Sequence, residues 1–163
     1  MRKFITSIII LFSTNVFAQN NDKQMGYENF YQSFSSSFKY PTQLSDRCIP
    51  TFTLMLVQFS TEGIVESIKF SDGAFPQFVD EIKRVQNNID FYSVYKDIIK
   101  AKKDNKTVLI PIHIDSEQIG GCKSIIIAND IKNLFQFGGR PIVGNYYIYP
   151  EVYIKNLVGR ANY

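Results

Sequence analysis

The side chains able to do chemistry in this chain are few and far apart. His113 is the only histidine, so neither a two-histidine metal site nor a cysteine–histidine zinc cluster can be assembled within one chain. A catalytic base also needs a positioned partner, which makes a structural or solvent-facing role the expectation for His113. Cys48 and Cys122 are the only cysteines. An even number in an exported chain predicts one disulfide, with two buried thiols as the alternative and a Cys122–His113 thiol–imidazole pair as a weaker one. The carboxylates Glu62, Glu66, Asp80, Glu81, Asp115 and Glu117 are scattered and read as solvated surface, although paired glycosidase carboxylates can stand far apart in sequence. Lys100, Lys102, Lys103 and Lys106 fall at an expected helix end and turn, where cations favour the helix dipole. Asn105-Lys106-Thr107 fits a glycosylation sequon, a weak three-residue pattern. There is no Gly-x-Ser-x-Gly elbow, phosphate loop or dinucleotide fingerprint, and no motif calls for a cofactor or a metal.

Met1-Arg2-Lys3 is a basic start, Phe4 to Phe12 is mostly apolar, and Val16-Phe17-Ala18 offers small residues ahead of Gln19. This predicts a secretory signal peptide over residues 1–18, too short and too often interrupted to span a membrane, so no anchor is expected after cleavage. Of 163 residues, 145 then remain, the size of one domain. Loss of Arg2 and Lys3 leaves 16 basic against 15 acidic side chains. That near-neutral balance gives no support to a nucleic-acid partner.

The elements that must position these residues centre on Thr51 to Asp72. Phe52 to Phe59 is apolar on both alternating faces and reads as a central strand; Ser60-Thr61-Glu62-Gly63 is a tight turn; Ile64 to Phe70 returns nearer an edge, with Ile64, Ile68 and Phe70 on one face and Val65, Ser67 and Lys69 on the other. Upstream, Tyr27, Phe30, Tyr31, Phe34 and Phe38 recur at helical spacing within an N-terminal segment, residues 19–39, which the serines from Ser33 to Ser37 weaken. Downstream, Ser71 or Asp72 is expected to cap a helix that buries Phe75, Phe78, Val79, Ile82 and Val85. Asn87-Asn88 interrupts it, and Phe91, Val94, Tyr95, Ile98 and Ile99 resume the spacing. Thr107 to Ile114 reads as a strand in which Pro111 argues for an edge or a bulge. Beyond the Gln118 to Gly121 loop, Ile125 to Leu134 suggests a strand or helix start and then a short helix that Gly138-Gly139 stops. Tyr146 to Ile154 reads as a strand broken by Pro150. The class is α+β: an antiparallel sheet of strand, strand, helix, strand order, helices on one face, and a C-terminal extension over residues 116–163.

Tyr40-Pro41 before a short helix, the Phe52 to Phe70 hairpin, the helix through Phe78 to Val85 and Ile110-Pro111-Ile112 in the third strand follow one another in an order that resembles the C-terminal domain of TonB-type energy transducers, over residues 40–115. The resemblance implies a periplasmic, non-enzymatic module that engages an envelope protein or peptide by strand addition at the third strand's outer edge. Carried onto this chain, that edge is Val108, Leu109, Ile110, Ile112 and Ile114. A monomer is expected, and a small secreted hydrolase or a structural envelope protein are the other classes. Tyr146 to Ile154 is also long enough to cover the same edge, and an exported chain has reason to cover it. In that case Tyr146, Tyr147, Tyr149 and Tyr153 become the candidate contact surface. Antiparallel pairing of the first and third strands would bring Cys48 and Cys122 to one end of the sheet.

Overall fold

The computed structural model of the chain describes residues 25–101 and 106–159; the expected leader, Lys102 and Lys103 lie outside them. The class is α+β, and the strands take the expected positions. β1 (Thr51–Phe59) lies between β2 (Val65–Phe70) and β3 (Thr107–Gln118), antiparallel to both. Strand alternation explains the choice. Met55, Val57 and Phe59 bury one face completely with Val108, Ile110, Ile112 and Ile114 of β3, while Leu54 and Leu109 bury the other. A strand apolar on both faces must be covered on both. Gly63, at φ 84°, closes the β1–β2 turn. A register shift between Gln58 and Phe59 sets Val65 opposite Phe59, so Val65 joins Ile68 and Phe70 against the core. Ile64, expected on that face, is instead left 63% exposed.

Three helices pack on the first face. α1 (residues 25–37) inserts Phe30 and Phe34. Ser33, Ser35 and Ser36 satisfy their hydroxyls on carbonyls one turn back, as Ser33 does on Phe30 O at 2.8 Å. After the short α2 (Thr42–Ser45), the Tyr40 hydroxyl donates to Ile49 O at 2.7 Å and meets Thr51 Oγ1 at 2.8 Å, tying the Tyr-Pro corner to the start of β1. Burial pushes that phenol up to about 12. α3 (Pro76–Val85) buries Phe78, Ile82 and Val85, a 3-10 turn at Gln86–Asn88 breaks it, and α4 (Phe91–Lys100) buries Phe91, Val94 and Ile98. The cap of α3 differs from expectation. Phe75 is its N-cap with Pro76 at the first helical position. Ser71 Oγ is occupied at the sheet, accepting from Leu54 N at 3.0 Å and meeting Thr53 Oγ1 at 2.8 Å.

The C-terminal extension supplies a second layer and more strands. α5 (Ala128–Leu134) places Leu134 against Leu54 and Leu109 on the face opposite the other helices. Gly138 and Gly139, read in sequence as a helix stop, form the turn of a small hairpin, β4 (Gln136–Phe137) with β5 (Arg140–Pro141). Both glycines have positive φ, at 61° and 73°, as a two-residue hairpin turn of this hand requires. Asp72 holds that turn by accepting from Gly138 N and Gly139 N at 2.7 Å each. β6 (Tyr147–Ile148) and β7 (Val152–Val158) then run parallel to β3 along its remaining edge, so the sheet is mixed.

Pro111 thus lies inside the sheet, neither at an edge nor in a bulge. Leu54 spends its N–H and C=O on Ser71 of the β2 side, so ladder alternation turns the peptide groups of Pro111, its register partner on β3, away from β1. They face the break between β6 and β7, where the parallel register slips by one residue and Pro150 sits. Two residues without N–H groups share the one stretch of this edge where the ladder is interrupted.

Cys48 and Cys122 are joined by a disulfide with a Cα–Cα distance of 5.9 Å across a sequence separation of 74. Cys48 adopts φ 51°, the only described non-glycine residue in the left-handed region, a conformation that costs about 1 kcal/mol or more. The bond fastens the loop after β3 to the entry of β1. Replacing both cysteines with serine is predicted to lower unfolding free energy by about 2–4 kcal/mol, read from urea midpoints of the two proteins under non-reducing conditions.

Candidate functional site

The edge expected to receive a peptide is already filled. Val108 and Leu109 lie opposite Tyr147 and Ile148, and Ile112 and Ile114 opposite Val152 and Ile154. Beside Ile110, the Tyr149 N–H donates to Leu109 O at 2.9 Å. Val108, Leu109, Ile110, Ile112 and Ile114 therefore form an interior strand, which corrects their reading as a peptide-binding edge. The tail is not a loose cover. Val152 is 0% and Tyr149 3% exposed, and re-exposing a large apolar side chain costs about 1.5–3 kcal/mol each.

The tyrosines divide accordingly. Tyr149 is not a contact residue: its ring packs edge-on against Phe30, with centroids 5.7 Å apart, and its hydroxyl donates to Asp97 Oδ2 at 2.7 Å in the core. Burial first, then the hydrogen bond and charge of Asp97, push its phenol far above the ordinary tyrosine value. Tyr146 and Tyr147 are half-buried. Of the four, Tyr153 alone is exposed, at 44%.

The second sheet face holds a polar cluster around Asp115, brought together by the pairing of β3 with β7. His113 Nε2 lies 3.1 Å from Asp115 Oδ1, Ser124 Oγ donates to the same oxygen at 3.0 Å, and Tyr153 OH donates to Oδ2 at 2.9 Å. Glu151 Oε1 stands 3.6 Å from His113 Nδ1, beyond hydrogen-bond reach. An ionised carboxylate only accepts, so His113 carries a proton on Nε2. Burial acts to raise the Asp115 pKa, but the donors Tyr153, Ser124 and His113 outweigh it and hold the carboxyl below the ordinary range. A hydrolytic triad sets its imidazole between nucleophile and carboxylate. Here the carboxylate sits between serine and imidazole, so Ser124 has no imidazole partner, and the cluster reads as a tie between β3, β7 and the crossover loop. Among the described residues no group of His, Cys, Asp or Glu has the arrangement of a metal site.

Among the described residues, what remains open is the opposite side of the sheet. β2 is a terminal strand. Ser71 N–H donates to Leu54 O at 2.9 Å, and alternation from that bond directs Lys69 and Ser67 toward β1 and leaves the N–H and C=O of Ile68 and Phe70 pointing outward. Two cavities flank this edge and meet at Ile68. One, of about 710 Å3, lies between β2 and the α3–α4 junction and is bordered by Glu66, Asn88, Asp90 and Tyr92. The other, of about 600 Å3, runs beside α3 and is bordered by Phe70, Val79, Lys83 and Phe137. The other outer strand, β7, is less available. Tyr27 and Tyr31 of α1 donate to the carbonyls of Glu151 and Tyr153, both at 2.7 Å.

Sequence reasoning placed β2 near an edge without drawing the consequence. The signal was present: Glu66 and Lys69 break an otherwise β-forming segment in the manner of an exposed edge strand. The long grooves beside it depend on where α3 and α4 pack, which residue spacing does not specify. No family model, curated protein or solved structure matches the chain.

Two outcomes follow for the polar contacts. Tyr149→Phe removes a donor from a buried carboxylate and is predicted to cost about 1–3 kcal/mol in urea denaturation. For Asp115, a carboxyl whose folded pKa is depressed contributes stability above its unfolded value, and that contribution is lost as pH falls through the folded one. Asp115→Asn is therefore predicted to be less stable than the parent at pH 7, with the gap closing below about pH 4, as measured by unfolding midpoints across that range.

Proposed function

We propose that this protein is an exported, non-enzymatic binding domain of the periplasm or cell exterior that captures an extended segment of an envelope protein by strand addition at β2. The observation carrying this reading is an unpaired sheet edge, with the peptide groups of Ile68 and Phe70 turned outward, set between two grooves that meet at Ile68. In strand addition the main chain supplies affinity and alternate side chains supply selection. Both requirements have a counterpart here: free peptide groups on β2, and walls formed by α3 and the α3–α4 turn.

The disulfide agrees with an oxidising, extracytoplasmic setting, as does the leader-like sequence of residues 1–18. Among the described residues no helix is long and apolar enough to cross a membrane. The likeness in element order to TonB-type C-terminal domains supports edge-on peptide capture as the mode. The edge differs, because β6 and β7 take the place that the resemblance would give to the partner. Glu66 and Lys69 beside the free edge deter indiscriminate pairing, as charges on native edge strands do.

The experiment is an N-methyl scan. Heptapeptides selected from a random display library on the immobilised oxidised protein are resynthesised with one backbone amide methylated at a time. Because only alternate amides of an added strand face β2, affinity is predicted to drop roughly tenfold or more at every second position, the equivalent of one lost hydrogen bond, with little change between. A flat or non-alternating profile contradicts strand addition.

A further inference from the structure

The free edge of β2 is electrically polarised along its length, and that polarity bears on which segment binds and in which direction. At the turn end, Glu66 and Asp90 are the charged side chains of the larger groove. At the other end, Lys69 and Lys83 border the second groove together with Asp72. Asp72 has both oxygens engaged by the Gly138 and Gly139 amides, and Asp90 accepts from Ser93 N and Ser93 Oγ at 3.0 and 2.6 Å. Glu66, Lys69 and Lys83 are exposed. β2 thus runs from a carboxylate end to an ammonium end. Glu66 and Lys69 are separated by about 10 Å of extended chain. Between the two ends, the α3 side of the edge is apolar: Ile68 and Phe70 are half-buried, and Val79 stands beside them.

Resting on the strand-addition reading, we propose that the β2 groove selects an extended segment in which an acidic residue precedes a basic one by about four positions, with an apolar residue midway, and binds it antiparallel to β2. Charge matching places the partner's carboxylate on the α3 face beside Lys83 and its cation beside Glu66 and Asp90, while Lys69, whose side chain alternates to the other sheet face, adds attraction only at longer range. A strand antiparallel to β2 meets the ammonium end first, so its acidic residue comes first in sequence. The opposite order satisfies the same charges only by running parallel, and parallel pairing is the slightly less stable ladder. Centring the segment on Ile68 puts the residue two before its midpoint opposite Phe70 and the residue two after it beside the bulge at Glu66. Side chains at those three positions share one face, so the middle one lies over Ile68 toward Val79. The recognised pattern is therefore acidic, any, apolar, any, basic.

Two peptides of identical composition test this, each acetylated and amidated: Ser-Glu-Thr-Val-Thr-Lys-Ser and Ser-Lys-Thr-Val-Thr-Glu-Ser. Titration into the isotope-labelled, oxidised full chain at low salt follows affinity while the Ile68 and Phe70 amide resonances report the site. The acidic-first peptide is expected to bind about 3- to 10-fold tighter, the scale of two exposed ion pairs, with the preference fading at 0.5 M salt on the order of a few Å of screening length. The triple variant Glu66→Lys, Lys69→Glu, Lys83→Glu changes only exposed positions and is expected to invert the preference. Equal affinities, or a basic-first preference, with the Ile68 and Phe70 resonances still moving, would overturn the polarity and leave strand addition standing. If neither peptide moves those resonances, strand addition itself fails and the inference with it. Movement of the same resonances with protein concentration alone would assign the edge to a second copy of the chain and overturn both.

Discussion

β3 is hydrogen-bonded along both of its edges, and most of the architecture follows from that. Antiparallel pairing with β1 needs only the α3–α4 excursion to return the chain. Parallel pairing with β6 and β7 needs a crossover, since two parallel strands cannot be joined by a tight turn. Residues 119–146 are that crossover. In passing over the second sheet face they cover Leu54 and Leu109 with Leu134, so one segment makes the connection and closes the second core. The disulfide secures its start to the entry of β1, and Asp72 secures its hairpin to the end of β2.

Filling β3 on both sides moves any edge-directed recognition elsewhere. A sheet has two outer strands, and in this one they are treated unequally. β7 has two carbonyls taken by tyrosines of α1, buries Val152, and lends Tyr153 to the Asp115 cluster. β2 keeps outward peptide groups between grooves. The Asp115 cluster, the obvious place to look for catalysis, is organised by the same β3–β7 pairing and spends its hydrogen bonds on holding those strands and Ser124 together. Its serine and its imidazole share one carboxylate oxygen, an order of contacts unlike that of a Ser–His–Asp relay.

Much of this was legible in the sequence where a residue's burial follows from local alternation. Phe52 to Phe59, apolar on both faces, read as central, and the aromatic stripe from Tyr27 to Phe38 read as a core-facing helix stripe rather than an exposed one. The cysteines followed from the same topology, because antiparallel β1 and β3 bring their flanks together. Legibility failed where register or distant packing decides. The slip between β6 and β7 buries Tyr149 while exposing Tyr153, and no local pattern marks the slip except Pro150. Val65 replaces Ile64 against the core because of a bulge. Pro111 looked like an edge residue because its missing donor is normally tolerated there, yet a break in the neighbouring strand serves equally well. The candidate site moved from β3 to β2 for a related reason: the resemblance in element order covers residues 40–115, and the strands that fill β3 come after it.

The central claim is that, among the described residues, the one available edge is β2. Amide hydrogen exchange across the oxidised chain, with and without a saturating display-selected peptide, addresses it residue by residue. Exchange at Ile68 and Phe70 should slow sharply on binding, because their N–H groups gain partners, while β3 amides, already paired, and those of β7 stay unchanged. New protection along β3 or β7, or none at Ile68 and Phe70 despite binding, would contradict the account.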